Sequence, residues 1–408
     1  MTKQIELLSP AGDMQCLQFA LQYGADAVYL GVKEFGMRSS CDNFTLEQMK
    51  EAAHLAHSMG KRVYLTLNTL PTNDEIARMS DFLPQAAQTG IDAFIIADLG
   101  VLSLVKTLVP QIEVHLSTQA GIANYASATA AYNLGAKRVV LARELSLEDI
   151  RFIRQNTPSD LELEVFVHGA MCMAVSGRCL LSSYLTGRDG NRGNCAQTCR
   201  WKYSLVEEKR PGEYFEIGED DKGSYILSAD DLCAAPFINQ VIEAGADSLK
   251  LEGRAKSFYY VSSVTAAYRS AIDAALSTKP SQEFVCPNFA LEELERTSHR
   301  PYSAGFYFGK PSATQTPTCG SYIRKWQVVG IVVGEKDGKI ICEQRGKFAK
   351  GTELEALLPK DGTLRFTPDI IWNGDGEVIE ATPHTKMTFM LPAQQKALPV
   401  NTILRIEL

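Results

Sequence analysis

Tyr23-Gly24-Ala25-Asp26-Ala27-Val28-Tyr29-Leu30 is the first of several near-copies of one phrase. The others are Thr89-Gly90-Ile91-Asp92-Ala93-Phe94-Ile95-Ile96, Leu134-Gly135-Ala136-Lys137-Arg138-Val139-Val140-Leu141 and Ala244-Gly245-Ala246-Asp247-Ser248-Leu249-Lys250-Leu251. Each reads as a helix end, a glycine, a short polar link and a buried strand. Glycine is the natural residue just past a helix C-terminus, where the backbone turns left-handed. The aliphatic or aromatic run that follows suits a strand covered on both faces. Further strands fit between the copies at 5–8, 63–67, 113–116 and 162–167, and amphipathic stretches such as Leu46–Ser58 and Leu147–Gln155 separate most of them. Strands alternating with helices in this number predict an α/β fold, a (β/α)8 TIM-like barrel rather than an open doubly wound sheet. No G-x-G-x-x-G follows the first strand, which argues against a dinucleotide site.

In such a barrel the chemistry sits where the strands end. The residues there are Ser9, Pro10, Asn68, Asp98, Ser117, Gln119, Arg143, Glu144, His168, Glu252 and Arg254. His168 and Glu252 are the catalytic candidates, and Asn68, Gln119, Arg143 and Arg254 the substrate-binding ones. The bland reading stands beside this one: Glu252 with Arg254, or Arg143 with Glu144, can be structural ion pairs. Helix 259–276 has Tyr260, Val264, Tyr268 and Ile272 on one face and reads as core packing.

The barrel region is expected over 1–285, interrupted at about 169–245 by an insertion of about 80 residues after the seventh strand, against the usual 2–6 residues of a βα connection. A linker is expected at 286–325. Beyond it the turn pairs Asp337-Gly338, Asp361-Gly362 and Asn373-Gly374-Asp375-Gly376 predict a small antiparallel β-barrel over 326–408.

The chain has 408 residues and a net charge of −7, so any nucleic acid must be met by a local basic surface, not by bulk charge. The N-terminus lacks the apolar core of a signal peptide, and the most membrane-like stretch, 91–110, is broken by Asp92, Asp98 and Lys106. A cytoplasmic protein without a membrane segment is expected, and a reducing cytosol argues against disulfides.

That matters because Cys172, Cys179, Cys195, Cys199 and Cys233 crowd the insertion, while the other cysteines are scattered. Clustered thiolates repel one another unless something holds them. Structural zinc sites favour C-x2-C knuckles, and none occurs here; the wider C-x6-C and C-x3-C loops suit an iron–sulfur cluster better, with zinc left open. Arg178, Arg188, Arg192, Arg200 and Lys202 form a basic run in the same insertion, either a solvated loop or an anion site, and Arg178 is counted with the substrate-binding residues.

The run Glu164-Val165-Phe166-Val167-His168-Gly169-Ala170-Met171-Cys172, continuing through Gly177, Cys179 and Leu181 to Ser182, resembles the signature E-x-F-x-x-G-[SA]-[LM]-C-x4-G-x-C-x-[LIVM]-S of the collagenase-like peptidase family of unknown mechanism. Every specified position is filled. Glu6-Leu7-Leu8-Ser9-Pro10-Ala11-Gly12, Asn194-Cys195-Ala196-Gln197-Thr198-Cys199-Arg200-Trp201 and Leu249-Lys250-Leu251-Glu252-Gly253-Arg254 are similar to the same family, and Cys-Arg-Trp with Ser257-Phe258-Tyr259-Tyr260 resembles its tRNA-hydroxylating branch. The resemblance implies conversion of the tRNA wobble uridine to 5-hydroxyuridine. It also implies prephenate as a small dicarboxylate co-substrate, a [4Fe-4S] cluster supplied by iron–sulfur assembly machinery, and the tRNA anticodon loop as partner. It supplies Cys172, Cys179 and Cys195 as ligands. The fourth varies between branches and falls here on Cys199 or Cys233; Cys233, just before the last barrel strand, is favoured because it would clamp the insertion onto the barrel. Cys41 is a more distant alternative. The rival readings are a peptidase, which lacks H-E-x-x-H and G-x-S-x-G here, and a non-catalytic metal-stapled scaffold.

Overall fold

The computed structural model describes residues 5–32, 34–35, 43–171, 181–188, 195–198, 201, 205–206, 214–215, 219–220, 223–224, 230–279, 281–309, 323–360, 362–394 and 396–408. The repeated phrase does what its composition predicts. Gly24, Gly90, Gly135 and Gly245 have φ of 112°, 91°, 97° and 108°, a region that side chains resist. Each turns a helix into the next strand.

The strands are β1 (Glu6–Pro10), β2 (Ala27–Gly31), β3 (Arg62–Leu67), β4 (Ala93–Ile96), β5 (Glu113–Leu116), β6 (Arg138–Val140) and β7 (Glu162–Ala170). They run parallel, each paired with the next. The helices between them include α1 (Met14–Gln22), α2 (Leu46–Ser58), α4 (Leu99–Leu108) and α6 (Leu147–Gln155). Local chemistry starts them: Thr45 with Gln48, and Ser146 with Asp149, form reciprocal capping boxes.

After β7 the chain enters the insertion, whose described parts are helix α7 (Leu181–Thr186) and two short antiparallel ladders, β8 (Leu205–Val206) with β9 (Tyr214–Phe215) and β10 (Glu219–Asp220) with β11 (Gly223–Ser224). It returns as β12 (Asp231–Cys233), which pairs antiparallel with the tip of β7. Strand β13 (Ser248–Leu251) then pairs in parallel with both β7 and β1, closing the ring of eight. The register between them shifts where consecutive Lys250 and Leu251 face Phe166 and His168, which leaves Val167 of β7 as the extra residue.

Helix α9 (Phe258–Ser277) lies outside the barrel with Tyr260, Val264, Tyr268 and Ile272 all buried. The stretch expected as a linker holds α10 (Asn288–Arg296), packed along α9, and β14 (Tyr302–Ser303), which extends β12. The C-terminal region is an antiparallel sheet of β15 (Trp326–Lys336), β16 (Lys339–Gln344), β17 (Leu354–Leu357), β18 (Thr363–Phe366), β19 (Ile371–Asn373), β20 (Val378–Ile379), β21 (Thr388–Pro392) and β22 (Ile403–Glu407). It has its own core around Val329, Cys342, Leu354, Phe389 and Leu404.

The two parts are locked together. Phe19, Tyr23 and Ala266 of the barrel pack on Ile331, Leu357 and Ile403. Beside them Arg405, fully buried, reaches both Glu293 and Glu355, and Arg296 also binds Glu355 at 3.2 Å. No helix among the described residues is long and apolar enough to cross a membrane.

Candidate functional site

Because side chains alternate along a strand, every second residue enters the barrel lumen. At the lower, N-terminal end these residues are charged. Arg138 binds Glu6, Glu162 at 2.6 Å and Glu164 at 3.0 Å; Lys250 binds Glu164 at 2.7 Å; and the Tyr64 hydroxyl donates to Glu6. Burial alone pushes the Glu6 carboxyl up, but the Arg138 guanidinium and the Tyr64 hydroxyl outweigh it and hold the group at about 2. Glu164 is likewise opposed by burial and lowered by Lys250 and Arg138. His115, fully enclosed, is depressed by burial and by Arg138, so it stays neutral.

A column of alternating charge and ring leads upward from this layer. The Lys250 ammonium lies 4.5 Å from the Tyr29 ring and 5.5 Å from Phe166. Arg143 covers Phe166 at 3.7 Å, donates to the Ala170 carbonyl at 2.7 Å and lies 3.4 Å from Glu252. From the loop after β13, Arg254 reaches across to donate to Thr66 Oγ1 at 2.5 Å. Gly31 makes that path possible: a Cβ there would lie 2.1 Å from Arg254 Nη1.

The mouth thus joins the ends of β2, β3, β6, β7 and β13. Among the described residues, Asn68 Oδ1, Glu144 Oε2 and Arg143 Nε are buried atoms with no hydrogen-bond partner. Native interiors rarely leave such groups unmatched. Two guanidiniums, two carboxylates and an amide at one barrel end can hold a polar ligand bearing negative charge.

Not every residue expected at the mouth serves it. Asp98 caps α4, accepting from Val101 N at 3.0 Å, and Ser9 bonds Thr265 of α9 at 2.8 Å. Ser117 caps the short turn Thr118–Ala120, and Gln119 is half-buried beside it. Glu252 takes Arg143 as a cation.

His168 faces away from the lumen. A bulge in β7 leaves Val167 unpaired and pairs His168 with Leu251, and the imidazole lies against Tyr268 of α9. The rings of Tyr260, Tyr268 and Tyr302 surround it at 5.4–6.0 Å. Burial, then the nearby His299 and Lys256, lowers its pKa to about 3. This setting gives the expected catalytic role no support; it is that of a neutral packing group.

Of the expected metal ligands, Cys172, Cys179 and Cys199, with Arg178 and Cys41, lie outside the described residues. Cys195 is exposed and its sulfur accepts the Gln197 amide at 3.3 Å, in a turn where Gln197 has φ of 55°. Cys233 pairs with His168 in the β7–β12 ladder, so it sits beside the root of the insertion at Gly169–Met171. Burial raises its thiol to about 11, and the Tyr268 hydroxyl approaches its sulfur at 3.9 Å. Among the described residues no group of three or more His, Cys, Asp or Glu is arranged to hold a metal ion.

Sequence reasoning missed Gly31, Thr66, Phe166 and Lys250 as parts of the site. A signal existed for Lys250 and Glu164: each interrupts an apolar strand with a charge at lumen parity.

Comparison with known proteins agrees with the architecture. Residues 12–317 match the family described as Peptidase family U32, and residues 324–405 match the Peptidase family U32 C-terminal domain. The tRNA hydroxylation protein P1 of Bacillus subtilis is 37% identical over 404 residues, covering 98% of this chain and 94% of that protein. The tRNA hydroxylation protein P of Escherichia coli is 36% identical, with 96% and 94% covered. A protein named Collagenase, from Porphyromonas gingivalis, is 32% identical over 98% of each chain. The closed parallel ring, the antiparallel C-terminal sheet and these matches have one outcome: this chain belongs to peptidase family U32.

Proposed function

We propose that this protein is an RNA-hydroxylating enzyme of the cytosol, serving the formation of 5-hydroxyuridine at the tRNA wobble position with prephenate as co-substrate. The observation that carries the reading is the near full-length similarity to proteins named for tRNA hydroxylation. A pyrimidine in the single-stranded anticodon loop can be presented to a barrel mouth without melting a duplex. Arg143 and Arg254 suit the two carboxylates of prephenate, and Asn68 and Glu144 offer unmatched polar atoms to the same ligand or to the base.

A [4Fe-4S] cluster, delivered by iron–sulfur assembly machinery, would be held by Cys172, Cys179, Cys195 and Cys233, with Cys199 as the substitute fourth ligand. The place of Cys233 beside the insertion root supports that set. When bound, such a cluster supplies one-electron transfer. Arg143 would orient the acidic ligand and Glu252, held by Arg143, would hold or accept a proton at its carboxylate.

The peptidase alternative needs a nucleophile next to an accessible base. Here His168 and Cys233 are both sealed, with the Tyr268 hydroxyl between them. Two measurements separate the readings. Nucleoside mass spectrometry of tRNA from a deletion strain is expected to show loss of 5-hydroxyuridine, and anaerobically purified protein to carry about four irons per chain. Unchanged nucleosides together with gelatin cleavage that survives replacement of Cys172 and Cys179 would establish the peptidase instead.

A further inference from the structure

A groove of about 540 Å³ runs between the barrel and the C-terminal sheet. We infer that it seats the phosphodiester backbone of the RNA substrate, on either side of the base presented to the mouth; this rests on the RNA reading above. Its lining includes Lys256, Arg324 and Arg345 and, among the described residues, no Asp or Glu, although the chain as a whole carries 48 acidic against 41 basic residues. Three cations on one groove, in a protein of net charge −7, mark a local basic surface of the kind that nucleic acid requires.

The cations come from three separate segments: the loop after β13, the approach to β15, and the end of β16. A backbone laid along the groove meets them in turn. Arg345 binds Glu343 at 2.8 Å through Nη2, and among the described residues its Nε is buried without a hydrogen-bond partner. Its guanidinium also lies 5.5 Å from the Phe258 ring, which fixes its direction. Gln327 adds an amide for phosphate or sugar oxygens.

The groove and the mouth share one loop. Arg254 and Lys256 are two residues apart on one loop; the first reaches Thr66 inside the barrel, and the second lines the groove. An RNA backbone held at Lys256 therefore lies two residues from the loop position that reaches into the barrel. The walls are held in register by Arg405 with Glu293 and Glu355, and by Tyr23, whose hydroxyl donates to Leu357 O and Asn401 O. Such pre-organisation lowers the ordering cost of binding.

The test uses the full chain purified anaerobically, with tRNA and an unrelated single-stranded RNA as probes, and reads affinity against salt. Arg324→Gln and Arg345→Gln are each expected to weaken both RNAs alike and to reduce the slope of log K on log salt by about 1. Arg324 is exposed, so its variant keeps the wild-type melting temperature. Lys336→Gln, at the far end of β15, is the control and leaves the slope unchanged. If the wild type binds tRNA and neither groove variant alters the slope, the groove assignment is overturned while hydroxylation stands. If the variants lose affinity for inorganic phosphate or a small dicarboxylate but not for RNA, the occupant is a small anion and the assignment is overturned. Wild type that binds no RNA, with unchanged nucleosides in the deletion strain, overturns the function itself.

Discussion

The two ends of the barrel interior are built from the same residue types and treat them differently. At the lower end the charged groups Arg138, Glu6, Glu162, Glu164 and Lys250 pair with one another, while the His115 ring beside them keeps two buried nitrogens unmatched among the described residues. At the mouth Arg143, Asn68 and Glu144 each keep a buried polar atom unmatched among the described residues. A saturated network resists change and offers nothing to a ligand. An unsaturated one has paid its desolvation in advance and recovers it only when something binds. The comparison teaches that charge inside this barrel is structural below and receptive above, with Phe166 as the boundary between Lys250 and Arg143.

The strongest way to break that contrast is to empty the lower layer. Arg138→Ala leaves carboxylates buried without their cation and is expected to cost about 3–5 kcal/mol, read as a lower denaturation midpoint. A variant as stable as wild type would mean that the layer is not structural. Acid tests the same layer without mutation. Glu6 has a folded pKa of about 2, below its unfolded value, so its contribution is complete above about pH 4.5 and lost as pH falls toward 2. It amounts to about 3 kcal/mol, and Glu6→Gln should flatten that limb of the stability curve.

At the boundary, Gly31→Ala forces Arg254 away from Thr66. Overpacking there is expected to cost about 1–3 kcal/mol, and 5-hydroxyuridine formation should fall even at temperatures where the fold survives. Asn68→Ala sharpens the upper half: it removes no internal hydrogen bond of Oδ1, so stability should move by less than about 1 kcal/mol while nucleoside analysis shows roughly tenfold less product. Equal product from that variant would strip Asn68 of its binding role. The smallest effect concerns His168. Its pKa lies near 3, below the unfolded value, so the fold loses stability as pH drops below about 6.5. His168→Gln should remove that slope and leave the pH profile of hydroxylation unaltered.

Much of this was legible beforehand. The bounds of Leu46–Ser58 and Leu147–Gln155 follow from capping residues and apolar spacing, which are local properties. The four glycine phrases give the strand–helix alternation for the same reason. His168 shows that position in a motif says nothing about facing: the extra residue Val167 within β7 itself reverses the side that parity predicts. Arg405 could not be recognised at all: it looks like an ordinary charge near the end of the chain until Glu293 and Glu355 are brought to it from distant segments.

By itself, then, the amino-acid order determined the rhythm of the fold, the crowding of thiols into one insertion and membership of a family, because these depend on neighbours along the chain. Tertiary structure alone decided which polar groups are satisfied and which are left waiting, and where a basic groove opens in an acidic protein. Those properties depend on partners from remote segments and on burial, and both exist only once the barrel has closed.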